Sequence, residues 1–336
     1  MENEKVLVQE YRGGIVENEH LGLIAGVDFD GNLRYSIGNP DKVCYLRSCA
    51  KSLQCLPLFM NRFDEKFGLT DEEATLFAAS HVGRDYHVKN LESIMKKLNV
   101  TEDILIMKPT YPLCEKSTEK LIREGKPRRK IYHNCSGKHL GLITSSKGLG
   151  LPVTEYWKPD SDLQKLIRKV IGTMADYPAD KIVVGIDGCG VPVYGMPLKN
   201  CAKAFARLSS PEMIKNEDLR RAVIRVTYLM HKYPDLICGD GEICSELMRD
   251  SNIVAKSGAK GIYCFSLKKE RLAFAIKILD GAQEPLELVV ASILEQIGYK
   301  QSVIDSLYKI RPQVVINDND TIVGACKASF VLEKAE

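Results

Sequence analysis

Apolar and polar positions alternate at the start of the chain. KVLVQEY from Lys5 and GLIAGVDF from Gly22 read as strands, and LRYSIG from Leu33 follows a turn at Asp30-Gly31, a spacing that predicts a hairpin. After Ser48 the period changes. Cys49, Leu53, Leu56 and Met60 recur at helical spacing, with Pro57 placed to bend the helix. Thr70 and Glu73 form a capping-box pattern ahead of Ala74, Phe77 and Ala78, with Gly83 as the expected stop. Further helices are predicted from Leu91, Ile94, Met95 and Leu98, from Leu163, Leu166, Ile167 and Val170, and from Leu219, Ala222, Val223 and Val226.

One strand-like run, KIVVGID, interrupts these helices and ends in the turn Gly188-Cys189-Gly190. Strands return near residue 252 as NIVAKSG, GIYCFSL and RLAFAIKIL. Pro285 opens a helix that reaches Ile297 and stops at Gly298, and QVVIND and ASFVLEK are the last strand candidates. Strands at both ends with helices between them predict one α+β domain over residues 1–336. Its antiparallel sheet comes from about 1–47 and 250–336, and a mainly helical region is inserted over about 48–249. No internal repeat is visible.

Composition narrows the function classes. At 45% apolar and 27% charged residues the chain is of ordinary globular make-up, long enough for a substantial core. A net charge of +3 from 47 basic and 44 acidic residues is too small to imply a nucleic-acid partner. The basic run Lys126 to Lys130 reads as a solvated loop. The amino terminus is too polar for a secretory signal, and no apolar run approaches the roughly 20 residues that cross a bilayer, so a cytoplasmic protein with no membrane partner is expected. Eleven cysteines without regular spacing fit reduced, mostly buried thiols rather than a disulfide framework.

Ser48-Cys49-Ala50-Lys51 puts a hydroxyl and an amine one helical turn apart, so a neutral lysine would take the serine's proton as it attacks. Ser-x-x-Lys occurs six times, at Ser48, Ser93, Ser117, Ser257, Ser266 and Ser306, so the spacing alone singles out nothing. Ser48 stands apart because it opens a helix and because Lys256-Ser257-Gly258 lies on a late strand. These are two of the three signatures of penicillin-recognising enzymes, and the third, Ser-Asp-Asn, is absent. A helix-cap serine remains the alternative.

His133-Asn134-Cys135-Ser136-Gly137-Lys138-His139 and Asp187-Gly188-Cys189-Gly190 put thiols and imidazoles in glycine-containing turns. Zinc would suit such donors, but no Cys-x-x-Cys pair demands it. Ser80-His81, Arg47 and Gly239-Asp240-Gly241 have ordinary readings as a helix end, a surface charge and a tight turn.

Together RGGIVENEHLG, LRSCAKSLQCLPL, AASHVGRDYH, HNCSGKH, GIDGCGVP and AKSGAKGIY resemble the asparaginase II family, also called class 3 or thermolabile-type asparaginases. The likeness runs from about residue 12 to 263, with one departure, Val16-Glu17-Asn18, where the family commonly ends in serine. It implies a β-lactamase- and serine-glutaminase-like fold, a homodimer, L-asparagine as substrate and an aspartyl-enzyme intermediate. It also implies two serine–lysine tandems, Ser48 with Lys51 and Ser80 with Lys256, and a zinc ion on Cys135, Lys138 and Cys189. Arg47 would meet the substrate α-carboxylate, with Asp187 and His139 either orienting the substrate or supporting the metal ligands from behind. As a base, Lys51 must be neutral, so activity is expected to rise towards alkaline pH. A glutaminase on the same scaffold, or a catalytically silent metal-binding relative, are the alternatives.

Overall fold

The computed structural model describes residues 4–335 and divides into two compact units. The first comprises Met1–Cys49, Met196–Ala206 and Gly241–Glu336, of which the described part is built on an antiparallel sheet. Its strands run in the order Val314–Ile316, Ile322–Ala328, Lys5–Arg12, Ile15–Asp28, Leu272–Ile278, Ile262–Leu267 and Ile253–Gly258. Leu33–Ile37 also pairs with Ile15–Asp28, and Glu333–Lys334 pairs with Leu33–Ile37. Strands from both ends of the chain meet because Lys5–Arg12 pairs Val8 with Ala328, and Ile15–Asp28 pairs Ala25 with Ala275.

The helix Leu286–Gln296, in which Leu288, Val289, Val290, Ile293 and Leu294 are buried, packs on Lys5–Arg12 and Ile322–Ala328. Ile243–Met248 packs on Ile253–Gly258. The last strand differs from expectation. Ile322–Ala328 is the long one, and of ASFVLEK only Ala328, the last residue of that strand, and Glu333–Lys334 pair. Gly324 interrupts the apolar run there and hides its strand signal.

The second unit, Ala50–Gly195 and Arg207–Asp240, is mainly helical. Asp85–Leu98, Asp162–Ala175 and Glu217–Lys232 carry the amphipathic faces the spacing predicts. Arg225 bonds Asp64 at 3.1 Å and Asp71 at 2.7 Å, and Lys232 bonds Asp71 at 2.8 Å, tying the last of these helices to the rest. The Thr70–Glu73 capping box is present, but the helical turns end at Ala78 rather than at Gly83. There the backbone turns extended, and Ser80 N–H and Val82 N–H donate to the carbonyls of Ile237 and Cys238 at 2.7 and 3.0 Å.

Two further features depart from the sequence reading. The helix after Ser48 is broken into Lys51–Gln54 and Leu56–Met60, preceded by a tight turn of 3-10 helix at Arg47–Ala50. The segment read as a glycine-containing turn, from Ser136, is a helix, Ser136–Leu149. Its glycines serve packing: a Cβ on Gly137 would stand 2.2 Å from the Leu76 carbonyl oxygen, so only glycine lets this helix approach that backbone. The strand Val183–Ile186 gains an unpredicted antiparallel partner over Pro192–Gly195, in a strand whose flanking prolines lowered its signal.

Candidate active site

In the first unit, Arg47, Ser48 and Cys49 enter the 3-10 turn directly after the buried Leu46. Arg47 holds φ +46°, a strained left-handed conformation for a residue with a side chain, and Ser48 follows it. Ser48 is partly exposed, and its hydroxyl makes no hydrogen bond among the described residues. It caps no helix: the N-cap of the following helix is Ala50, without a side-chain bond. The Cys49 thiol, fully buried, donates to the Lys256 carbonyl oxygen at 3.0 Å and so fastens the Ser48 turn to the Ile253–Gly258 strand.

Gly258 makes this approach possible. A Cβ there would lie 2.7 Å from the Leu46 carbonyl oxygen and 3.1 Å from Cys49 Sγ. Lys256 is fully buried, with Nζ donating to the Ser257 carbonyl at 3.2 Å, and Ser257 N–H donates to the Cys244 sulfur at 3.0 Å.

In the second unit, Lys51 is also fully buried. Its Nζ donates to Ser80 Oγ at 2.9 Å and to the Asn134 carbonyl at 3.0 Å. A lysine of one expected tandem therefore touches the serine of the other, and the Asn134 carbonyl, missed by the sequence reading, is a second acceptor for it. Next to Ser80 lies His81, fully buried, with Nε2 2.8 Å from Ser136 Oγ. That hydroxyl gives its proton to the Ile131 carbonyl at 2.9 Å, so Nε2 of His81 must carry the ring proton. Burial first, then the neighbouring His87 and Lys51, hold His81 well below the usual histidine range, neutral.

The expected metal residues come together. Cys135 stands at the N-cap of the Ser136–Leu149 helix, Lys138 in its first turn, and Cys189 in the tight turn beyond Val183–Ile186. Lys138 Nζ is 3.0 Å from Cys189 Sγ and 4.0 Å from the Asp187 carboxylate. The thiol of Cys135 is lowered by its hydrogen bond with Cys189 and by the Lys51 and Lys138 charges, against burial. Cys189 is correspondingly raised by that hydrogen bond and by burial. Burial opposes the charge on Lys138, but Cys135, Cys189 and Asp187 outweigh it and raise its pKa. Two buried sulfurs and an amine suit a borderline ion such as zinc. Among the described residues no group of three His, Cys, Asp or Glu side chains is placed to hold a metal, so a metal here would need Lys138 beside the two sulfurs.

His139 is fully buried one position further along the helix, with Nδ1 2.8 Å from the Tyr156 hydroxyl. Tyr156 carried no signal in the sequence reading.

A family model described as L-asparaginase II matches residues 8–328. No curated protein matches the chain significantly. Among solved structures, the chain is similar to a class C β-lactamase from Rhodobacter sphaeroides at 11% identity and TM-score 0.44, covering 82% of this chain and 94% of that one. It is also similar to a Bacillus glutaminase crystallised in 4.3 M NaCl, at 13% identity and TM-score 0.35, covering 78% and 84% of the two chains. A penicillin-binding protein homologue from Pyrococcus abyssi, described as octameric, matches at 12% identity and TM-score 0.34, over 87% of this chain and 75% of that one.

Proposed function

The chain belongs to the L-asparaginase II family, and on that premise we propose that it hydrolyses L-asparagine to L-aspartate and ammonia through an ester on Ser48. The observation that supports this most is the Ser48 turn. Ser48 is partly exposed, its hydroxyl makes no hydrogen bond among the described residues, a strained Arg47 precedes it, and Lys51 follows one turn later along the chain.

Lys51 takes the Ser48 proton as the oxygen attacks the side-chain amide carbon. The resulting oxyanion is held by the Ser48 backbone N–H and by an N–H just after Lys256-Ser257-Gly258. Collapse expels ammonia with a proton returned from Lys51, and water then cleaves the aspartyl ester. For Lys51 to act as base it must be neutral. Ser80, bonded to Lys51, and Lys256 form the rest of the serine–lysine set. Arg47 meets the substrate α-carboxylate, and Asp187 and His139 orient the substrate.

Cys135, Lys138 and Cys189 would hold zinc, which supplies Lewis-acid or orienting chemistry when bound. The working protein is proposed to be a cytoplasmic homodimer. Among the described residues no helix is long and apolar enough to cross a membrane.

Ammonia release from L-asparagine and L-glutamine by wild type and by folded Ser48→Ala tests the reading. Wild type is expected to prefer asparagine, and the variant to lose at least ~1000-fold in rate. One methylene is worth only about 1 to 3 kcal/mol in a pocket, so some glutamine turnover is compatible. A preference for glutamine would transfer the assignment to a glutaminase. Zinc-loaded wild type that releases no ammonia from either substrate would leave only a metal-binding protein.

A further inference from the structure

His139 and Tyr156 form a buried pair whose protons can be assigned. The Tyr156 hydroxyl lies 2.8 Å from His139 Nδ1, 3.3 Å from the Ile104 carbonyl oxygen and 3.4 Å from the Ile106 N–H. It has one proton to give. Given to Ile104, that proton leaves the oxygen free to accept from both Ile106 N–H and His139 Nδ1–H, and all three contacts are made. Given to Nδ1 instead, it abandons the carbonyl. The arrangement with more bonds puts the histidine proton on Nδ1 and leaves Nε2 a bare acceptor.

Nothing among the described residues answers that acceptor: His139 Nε2 is buried without a hydrogen-bond partner. Such an atom is costly to bury unless a donor arrives. The ring cannot easily turn away. Tyr156 meets it edge-on at 81°. The Tyr156 backbone is fixed in turn, its carbonyl accepting from Gln164 Nε2 at 2.7 Å, while Gln164 Oε1 accepts from the Tyr194 hydroxyl at 2.6 Å.

We infer that Tyr156 is a positioning residue: it pins the tautomer of His139 so that Nε2 accepts a hydrogen bond from the α-ammonium group of an amino-acid substrate. The inference rests on the proposed reading that His139 orients the substrate. An ammonium is the strongest donor such a substrate offers, since a charged donor roughly doubles the hydrogen bond. The pair would thereby distinguish an α-amino acid from the same acid without its amine.

L-aspartate and succinate differ by that amine, and their binding to the full-length protein can be compared by calorimetry without turnover. Wild type is expected to favour L-aspartate by about tenfold or more. Tyr156→Phe should reduce the ratio severalfold while moving succinate affinity less than about twofold. An unchanged ratio in a folded variant, equal weakening of both ligands, or no preference in wild type would overturn the inference. Should Tyr156→Phe fail to fold, His139→Gln carries the same comparison, with the same loss of preference expected. Ammonia release from L-asparagine by wild type, measured alongside, separates the two levels. Turnover with an unaltered ratio discards only the role of Tyr156. No turnover and no binding of either ligand discards the amidohydrolase reading with it.

Discussion

Ser48 cannot be told from the other Ser-x-x-Lys serines by spacing, and the structure separates it by its surroundings. A φ of +46° at Arg47 and the bond from Cys49 to the Lys256 carbonyl place the serine on a turn clamped to a strand. The clamp depends on Gly258, where a Cβ would lie 2.3 Å from Ile262 Cγ2 and 2.7 Å from the Leu46 carbonyl. Gly258→Ala is therefore expected to lower stability by about 2 kcal/mol and to reduce activity by more than the unfolded fraction explains, read from denaturant melts beside ammonia release. A variant as stable and active as wild type would remove the clamp from the account. Residue types single out Ser48, Lys51, Lys256, Cys135 and Cys189 as candidates, whose expected roles come from the family resemblance. They could not nominate Tyr156 or the Asn134 carbonyl, because a tyrosine far along the chain and a main-chain oxygen leave no pattern; only the fold brings them to His139 and Lys51.

At the scale of elements, periodicity found the helices with one apolar face and missed the one buried nearly all round. Ser136–Leu149 shows no single apolar stripe, and its glycines looked like a turn, although Gly137 is there to admit the Leu76 backbone. Ser80 was placed near a helix end, whereas it sits in an extended segment bonded to Ile237. The neighbouring helix Asp85–Leu98 begins with a second readable device. His87 Nδ1 accepts from Arg84 N–H at 3.2 Å, and Nε2 lies 3.2 Å from the Asp235 carbonyl oxygen. Burial above all brings His87 down to about 4 from the usual 6.5. Above pH 6.5 folded and unfolded chains both carry it neutral, and its contribution is fully present. Below that, the unfolded chain takes up a proton that the fold refuses until about pH 4, so stability falls across this window, for this group by at most about 3 kcal/mol. His87→Gln should lose less stability than wild type between pH 6.5 and 4.5, since His81 and His139, also lowered by burial, still contribute. Equal losses in chemical melts at the two pH values would contradict this.

For the whole molecule, strands from both ends of the chain and a helical insertion were legible because most strand segments are short apolar runs, Ile262–Leu267 being buried throughout, and the segments between them carry helical spacing. The boundaries were less so. The segment Met196–Ala206 belongs with the sheet-bearing unit although it lies within the span read as helical insertion, and nothing in its composition marks the change. All eleven cysteines are free, and ten are buried, consistent with thiols used for packing and for the Cys135–Cys189 pair rather than for crosslinks. The proposed reaction requires Ser48 to carry the acyl group. Wild type mixed with L-asparagine, quenched in acid within the first turnovers, digested and weighed by mass spectrometry tests this most directly. An aspartyl group on the peptide containing Ser48, absent from Ser48→Ala, is the predicted result; ammonia released while the adduct sits on another residue, or undiminished release by Ser48→Ala, would contradict it.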